Sequence, residues 1–428
     1  MESKQKAGLT RREFLSKTAK ATAGLALGTA LFGAAPYVAR AQARKITVGV
    51  GGWAVEPLKR VLAELDFTKE TGIEVDVQVR PGSPPEFISQ MTSAVRAGTS
   101  PYDVVDLEDE ASVTLAQLGW LDPLDGLLPG DFWDDFPADM MNMVNVWHRH
   151  RGETVRIPHN YEPQYFWYRK DWFDRAGLKP PETWEELVEV GKHFTRDGVW
   201  GLTDALAKGA YLNVFMGYLT VQAGGNLYDF EEPTRMAFQF AHDLIHKHKI
   251  MPQAVLNKDN DAINVDYMGD RVAMMRQWPY FWDVSRGNTA WWTPEKTAIS
   301  LPPKGPGNMG RTYAAAWGWS IPKTAPNKKA AQVFLQWIVS KENAPRLAPF
   351  DTWFLNARHS VLSAMGDRGM TPYMRWYSES GAIGTRPFHP RYMEALSVVE
   401  DLASAYLTNQ LTLDEVMKAG KERIARLG

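Results

Sequence analysis

Between Ile46 and Leu107, three short β-branched runs alternate with two helical patterns. The runs are ITVGV (Ile46–Val50), VDVQV (Val75–Val79) and YDVVDL (Tyr102–Leu107). Between the first two, Leu58, Val61, Leu62 and Leu65 fall at helical spacing, with Pro57 at a first helical position and Gly72 at the stop. Phe87, Ile88, Met91 and Val95 mark a second helix that ends at Gly98. Strand, helix, strand, helix, strand predicts a parallel sheet with right-handed crossovers. Such sheets bind ligands beyond the carboxyl ends of their strands. Those ends are Gly52-Trp53, Pro81-Gly82-Ser83 and Glu108-Asp109-Glu110. Trp53, Glu108 and Asp109 are thereby expected at a crevice.

The middle of the chain continues the pattern. YFWYRKDWFDRAG runs from a strand into a short helix, with Asp171 as the expected cap and Gly177 as the stop. Thr183 and Glu186 have the spacing of a capping box. RVAMM (Arg271–Met275) reads as a strand that delivers the chain into RQWPYFWDVSRGNTAWW. That stretch holds six aromatic rings within fifteen residues: Trp278, Tyr280, Phe281, Trp282, Trp291 and Trp292. A later apolar run, TYAAAWGWSIP, is expected as one strand, followed by a helix burying Ala330, Val333, Phe334, Trp337 and Ile338. The last hundred or so residues read as mostly helical.

The N-terminal segment bears on compartment. LTRREFLSK pairs Arg11 and Arg12 ahead of Phe14 and Leu15, the spacing of a twin-arginine export signal. Ala21 to Ala39 carries no charge but is only weakly apolar, and Ala41-Gln42-Ala43 offers a small-x-small cleavage pattern. Export with cleavage near Ala43 is expected; an uncut membrane anchor is the alternative. Cleavage there removes seven basic and two acidic residues, leaving 41 against 48 and a formal charge of −7. An acidic chain argues against nucleic acid and anionic lipid as partners. The chain has no cysteine, which excludes disulfides, thiolate metal sites, a cysteine nucleophile and a lipid-modified N-terminal cysteine. Free diffusion behind an outer barrier, in a periplasm, follows as the expected location. The remaining 385 residues exceed what one core serves, so two domains are expected.

Four stretches resemble the extracellular solute-binding proteins of ABC importers, specifically the maltose-binding-like sugar family. YDVVDLEDEASVTLAQLGWLDPLD resembles that family's third strand and its "aGWLxPLD" ending. WYRKDWFDRAGLKPPETWEEL is similar to "YNKDLFeKAGLxPPkTWdEL", DRVAMMRQWPYFWD to "GKvAMxinGPWaW", and AWGWSIPKTAPNKKAAQVFLQWIVSKE to "GGwglaIpkgsKNKeAAwkFl". They occur in the family's order across roughly Ile46 to Glu342. Two departures fall where a ligand would touch: Trp278 precedes Pro279 where the family often has Gly, and the acidic Leu107–Glu110 run replaces small polar residues.

The resemblance implies an α/β fold of two lobes, each a mainly parallel sheet flanked by helices, closing on a ligand by hinge motion. The expected layout is a signal segment at 1–43, a first lobe from 44–158 plus 306–340, and a second lobe from 159–305 plus 341–428. Crossings are expected near His159–Pro163 and Leu301–Pro306. The implied partners are a small carbohydrate and the permease subunits of an ABC transporter, the protein acting as a monomer without cofactor or metal.

The aromatic run then has a use. A pyranose presents an apolar C–H face and a rim of hydroxyls; flat aromatic rings cover the face, and carboxylates and amides meet the rim. Trp53, Trp278, Tyr280, Trp317 and Trp319 are the candidate stacking rings, with core packing as the alternative for each. Phe281, Trp282 and Trp337 read as core, and Trp291 and Trp292 as either. Glu108, Asp109 and Glu162 are the candidate carboxylates, joined by Tyr211, Asn226, Gln277 and Arg386; for Arg386 the alternative is a surface salt bridge. Enzyme motifs are missing: no G-x-S-x-G, H-E-x-x-H or P-loop occurs. His242 and His246 have metal-ligand spacing but no acidic third ligand on their face. An exported carbohydrate-active enzyme, or a binder of a polyol, glycerol phosphate or amine, remains the competing reading.

Overall fold

The computed structural model describes residues 45–428; the expected export signal and cleavage site lie outside the described residues. The first three runs form β1 (Lys45–Val50), β2 (Glu74–Val79) and β3 (Val104–Leu107). β1 pairs in parallel with both neighbours, Val48 opposite Val77 and Val104. Two antiparallel strands complete this sheet: β4 (Ile157–Pro158) and β11 (Gly318–Ser320), in the order β2-β1-β3-β11-β4. Its core gathers Phe87 and Met91 from the helix Pro84–Arg96 with Tyr102, Val105, Leu107, Ala111 and Leu115. Gly49 is required there, because a Cβ at that position would sit 2.7 Å from the Tyr102 ring.

The second sheet has the order β9-β6-β8-β7, from β6 (Tyr165–Tyr168), β7 (Trp200–Thr203), β8 (Val272–Gln277) and β9 (Ala298–Ser300). β8 is buried along its whole length although it contains Arg276 and Gln277. The helix after β6 spans Lys170–Ala176 and ends, as expected, on Gly177 at φ 65°. Its cap is Arg169, and Asp171 sits in the first turn instead, where its carboxylate accepts from the Arg169 guanidinium at 2.8–2.9 Å. Thr183 caps the helix Trp184–Phe194 through Glu186 N–H.

A third, three-stranded sheet joins the other two: β5 (Glu162–Pro163), β10 (Thr312–Ala315) and β12 (Ile383–Gly384), in the order β12-β10-β5. These are the crossings. The first falls in the expected His159–Pro163 segment, with Ala315 opposite Glu162. The second lies at Thr312–Ala315 rather than Leu301–Pro306, and the TYAAAWGWSIP run is two strands instead of one. The break at Ala316-Trp317 comes where the chain leaves the crossing ribbon for the first sheet. There Trp317 N–H donates to Asn160 Oδ1 at 2.7 Å and Ala316 N–H to Asp109, so side chains supply the partners that a continuous strand would have found in its neighbours.

The C-terminal segment is tied to both sheets. Arg358 donates to Asp135 at 2.8 Å and to the Val339 carbonyl at 2.6 Å on the side of the first sheet. Tyr377 donates to the Ser300 carbonyl and accepts from Phe166 N–H on the second. No helix among the described residues is long and apolar enough to cross a membrane.

The crossing ribbon is closely fitted. A Cβ on Gly384 would lie 2.0 Å from the Met309 carbonyl oxygen and 2.9 Å from Val221. Gly384→Ala should therefore push β12 off β10, lowering stability by about 1–3 kcal/mol, read as a lower denaturation midpoint with an unchanged m-value.

Candidate functional site: the cleft between the two sheets

The carboxyl ends of β1, β2 and β3 open into a cleft of about 630 Å³, a volume in the range of small-molecule sites. Trp53, Gly82, Pro84 and Glu108–Glu110 form one wall. The opposite wall comes from the second sheet and its helices: Gly209–Tyr211, Asn260, Asp261, Arg276, Trp278, Tyr280 and Asp283. The crossing strands supply the floor through Glu162 and Ala315–Trp317, and Asp351–Trp353 close one side.

Nine of the twelve candidate residues line this one space: Trp53, Glu108, Asp109, Glu162, Tyr211, Trp278, Tyr280, Trp317 and Arg386. Trp319 does not. It is fully buried, packed against His159, Phe334 and Trp353, because it lies in β11, beyond the break at Ala316-Trp317 and inside the first sheet. Asn226 also lies away, donating to Asp229 and to the Phe388 carbonyl at the end of the helix Tyr211–Ala223. Gln277 is buried behind the wall, where it bonds Asn264, which in turn donates to the Tyr280 hydroxyl at 2.8 Å. Of the aromatic run, Phe281 and Trp291 are buried and Trp282 lies under the Arg286 guanidinium, 3.0 Å from its ring centroid. Trp337 is core. His242 and His246 bond Asn409 and the Leu407 carbonyl, tying their helix to the end of the helix Tyr392–Leu407.

The aromatic rings build one corner of the cleft. Trp53, 55% exposed, meets Trp317 and Trp353 edge-to-face at centroid distances of 5.2 and 5.3 Å. A large ring left exposed at a cavity mouth, held by two others, presents a flat apolar face to whatever enters. Trp353 escaped the sequence reading because its surroundings carry no strand or helix pattern. It is placed by Asp351, whose carboxylate caps the turn by accepting from Trp353 N–H at 2.9 Å.

Below the rings the chemistry is ionic. Asp109 accepts from both Arg156 and Arg386, and Arg386 also donates to Glu110 at 2.5 Å. Arg386 is thus a buried clamp and not a surface ion pair, and its charge is stabilised well above the usual guanidinium range by Glu110 and Asp109 despite burial. Arg156 additionally donates to the Leu107 and Ala316 carbonyls at 3.0 and 3.2 Å. Glu108 pairs with Arg80 through one oxygen, while its other oxygen, Oε1, is buried without a protein partner. Burial, only partly offset by Arg80, pushes the Glu108 carboxyl up. Arg80, Arg156 and Arg276 escaped the sequence reading. A lone arginine inside or beside a buried strand was their signal, since a buried charge must be paired.

Glu162 is the most perturbed acid of the cleft. Burial, with Asp109, Asp106 and Asp351 nearby and only Arg386 opposing them, pushes it up to about 8; Asn160 Nδ2 donates to it at 2.9 Å, and the Tyr165 hydroxyl lies beside it. Its folded-state affinity for a proton exceeds that of the unfolded chain. Its stabilising contribution is therefore complete below pH 4.5 and is lost as pH rises through about 8. The loss is at most about 1.4 kcal/mol per pH unit. Glu162→Gln, which cannot ionise, should melt increasingly above the parent protein from pH 5 to pH 9; parallel melting curves across that range would refute the assignment.

The family described as bacterial extracellular solute-binding protein matches residues 51–345. The chain belongs to that family. Among its relatives, the mannitol-binding protein of Pseudomonas aeruginosa is 23% identical over 79% of this chain and 83% of its own length. The erythritol/L-threitol-binding protein of Mycolicibacterium smegmatis is 23% identical over 65% of this chain; the match spans 63% of that relative, less than two thirds of it. Solved solute-binding proteins share the fold. Maltose-bound MalE3 of T. maritima superposes with a TM-score of 0.77 over 90% of this chain and all of its own, at 24% identity. The ribitol complex from Agrobacterium radiobacter K84 gives 0.75 over 92% of this chain and all of its own, at 19% identity. In this solute-binding protein the expected two-lobed α/β architecture is therefore present, with the cleft between its lobes.

Proposed function

We propose that this solute-binding protein captures a carbohydrate, a sugar or polyol, between its lobes and hands it to the permease of an ABC transporter. The observation that carries the reading is the cleft itself: exposed aromatic rings above, carboxylates and peptide groups at the crossing strands below. That combination matches a molecule with apolar C–H faces and a hydroxyl rim. The relatives named for mannitol and for erythritol or L-threitol support the same ligand class.

The rest of the reading goes with it. The segment 1–43 serves as a twin-arginine export signal cut near Ala43, delivering a monomeric protein to the periplasm. The first lobe comprises 44–158 and 306–340, the second 159–305 and 341–428; the crossing strand at Thr312–Ala315 supports starting the returning part of the first lobe after Ala315. The bonds of Arg358 to Asp135 and Val339 support moving residues 341–360 to the first lobe. The protein binds without turnover. The carboxylates adjacent in sequence, Asp109 and Glu110, are both engaged by Arg386, which leaves them poorly placed as a glycosidase pair.

A thermal-shift and calorimetric screen of residues 44–428 against sugars, polyols and glycerol phosphates tests this. A ligand at a hundred times its dissociation constant adds about 2.7 kcal/mol of stability. Trp278→Ala and Tyr280→Ala should each weaken binding about tenfold, the scale of one lost stacking contact. Recovery of a chemically altered ligand, or no response to any polyhydroxylated compound, overturns the proposal.

A further inference from the structure

The cleft has more negative charge than its own cations can neutralise, and the surplus is placed on its walls. Two arginines line it and both are committed. Arg276 donates to Asp204 through Nε at 2.9 Å and through Nη2, and to Gln164 through Nη1. Arg386 is held by Asp109 and Glu110. No lysine lines the cleft among the described residues. A phosphate or carboxylate entering it meets no free cation.

The acids are not so matched. Asp261, Asp283 and Asp351 at the walls form no ion pair among the described residues. Asp283 accepts from Thr352 N–H and Oγ1–H at 3.0 and 2.6 Å, and Asp351 from Trp353 N–H; these neutral donors leave the charges uncompensated. Glu108 Oε1, buried beside Arg80, still lacks a partner. Aromatic rings stand over the same space, and a ring face attracts a cation as it does a C–H face. A neutral sugar would satisfy the hydroxyl-bonding capacity of these acids but not their charge.

From this arrangement we infer that the ligand is a polyhydroxylated compound bearing a protonated amine, an amino sugar or amino polyol, and that anionic sugar derivatives are rejected. The inference rests on the carbohydrate reading above and narrows it. The ammonium sits among the wall acids Asp261, Asp283 and Asp351, while the carbon skeleton lies against Trp53 and Trp278.

Matched triplets separate the two readings: glucosamine, glucose and glucuronate; and glucamine, sorbitol and gluconate, each titrated calorimetrically at pH 6.5 into the protein at low and at 0.5 M salt. The amine member should bind at least tenfold tighter than its neutral partner, lose affinity in salt, and be preferred over the anion by a larger margin still. Asp261→Asn and Asp283→Asn, each checked for an unchanged circular dichroism spectrum, should shrink the amine-to-neutral ratio. Equal or tighter binding of a neutral member overturns the amine assignment and leaves carbohydrate capture standing; preference for an anion does the same. Binding of spermidine with no binding of any hydroxylated compound overturns both.

Discussion

The buried cluster in which Arg156 and Arg386 share Asp109 holds the molecule's three parts in register. Asp109 opens the helix that follows β3, Arg156 precedes β4 in the same sheet, and Arg386 follows the crossing strand β12. Each charge is nearly inaccessible to water, so each depends on the others. Removing one partner from such a cluster strands a buried charge, at a cost of about 3–5 kcal/mol. Two of the carbonyls that Arg156 also meets belong to β3 and to the turn between β10 and β11. A single guanidinium thus fixes the strand end, the cleft floor and the ribbon between the sheets.

That arrangement governs what the cleft has left to offer. Asp109 and Glu110 line the cavity yet are spent on structure, so on the proposed reading recognition falls to Glu108, Glu162 and the wall acids. The relatives bind uncharged polyols by name, and the likeness to them lies in the fold and the family motifs. Selectivity lies in side chains that hang from that frame, where this chain carries Leu107–Glu110 and Trp278 in place of the family's smaller residues.

Much of the cleft was legible because strand ends in a parallel sheet must point to one edge. Trp53, Glu108 and Asp109 followed from counting strands, and Trp278 from the end of RVAMM. Trp319 was misplaced because it is only two positions from Trp317, yet Trp317 lies in the break between two strands, on the cleft floor, while Trp319 already belongs to the first sheet. Asn226 was misplaced because a polar residue after a long buried helix looks the same whether it faces a ligand or caps a loop. Trp353 and Asp351 arrive from a segment with no periodic pattern, so only contacts distant in sequence bring them in.

The sequence by itself determined the alternation of strands and helices, the edge of the sheet where ligands gather, and the family, because these depend on local periodicity and short motifs. The tertiary structure alone decided which carboxylates are free. Whether Asp109 meets a ligand or an arginine depends on residues 47 and 277 positions away, and a charge's role is set by what surrounds it in space.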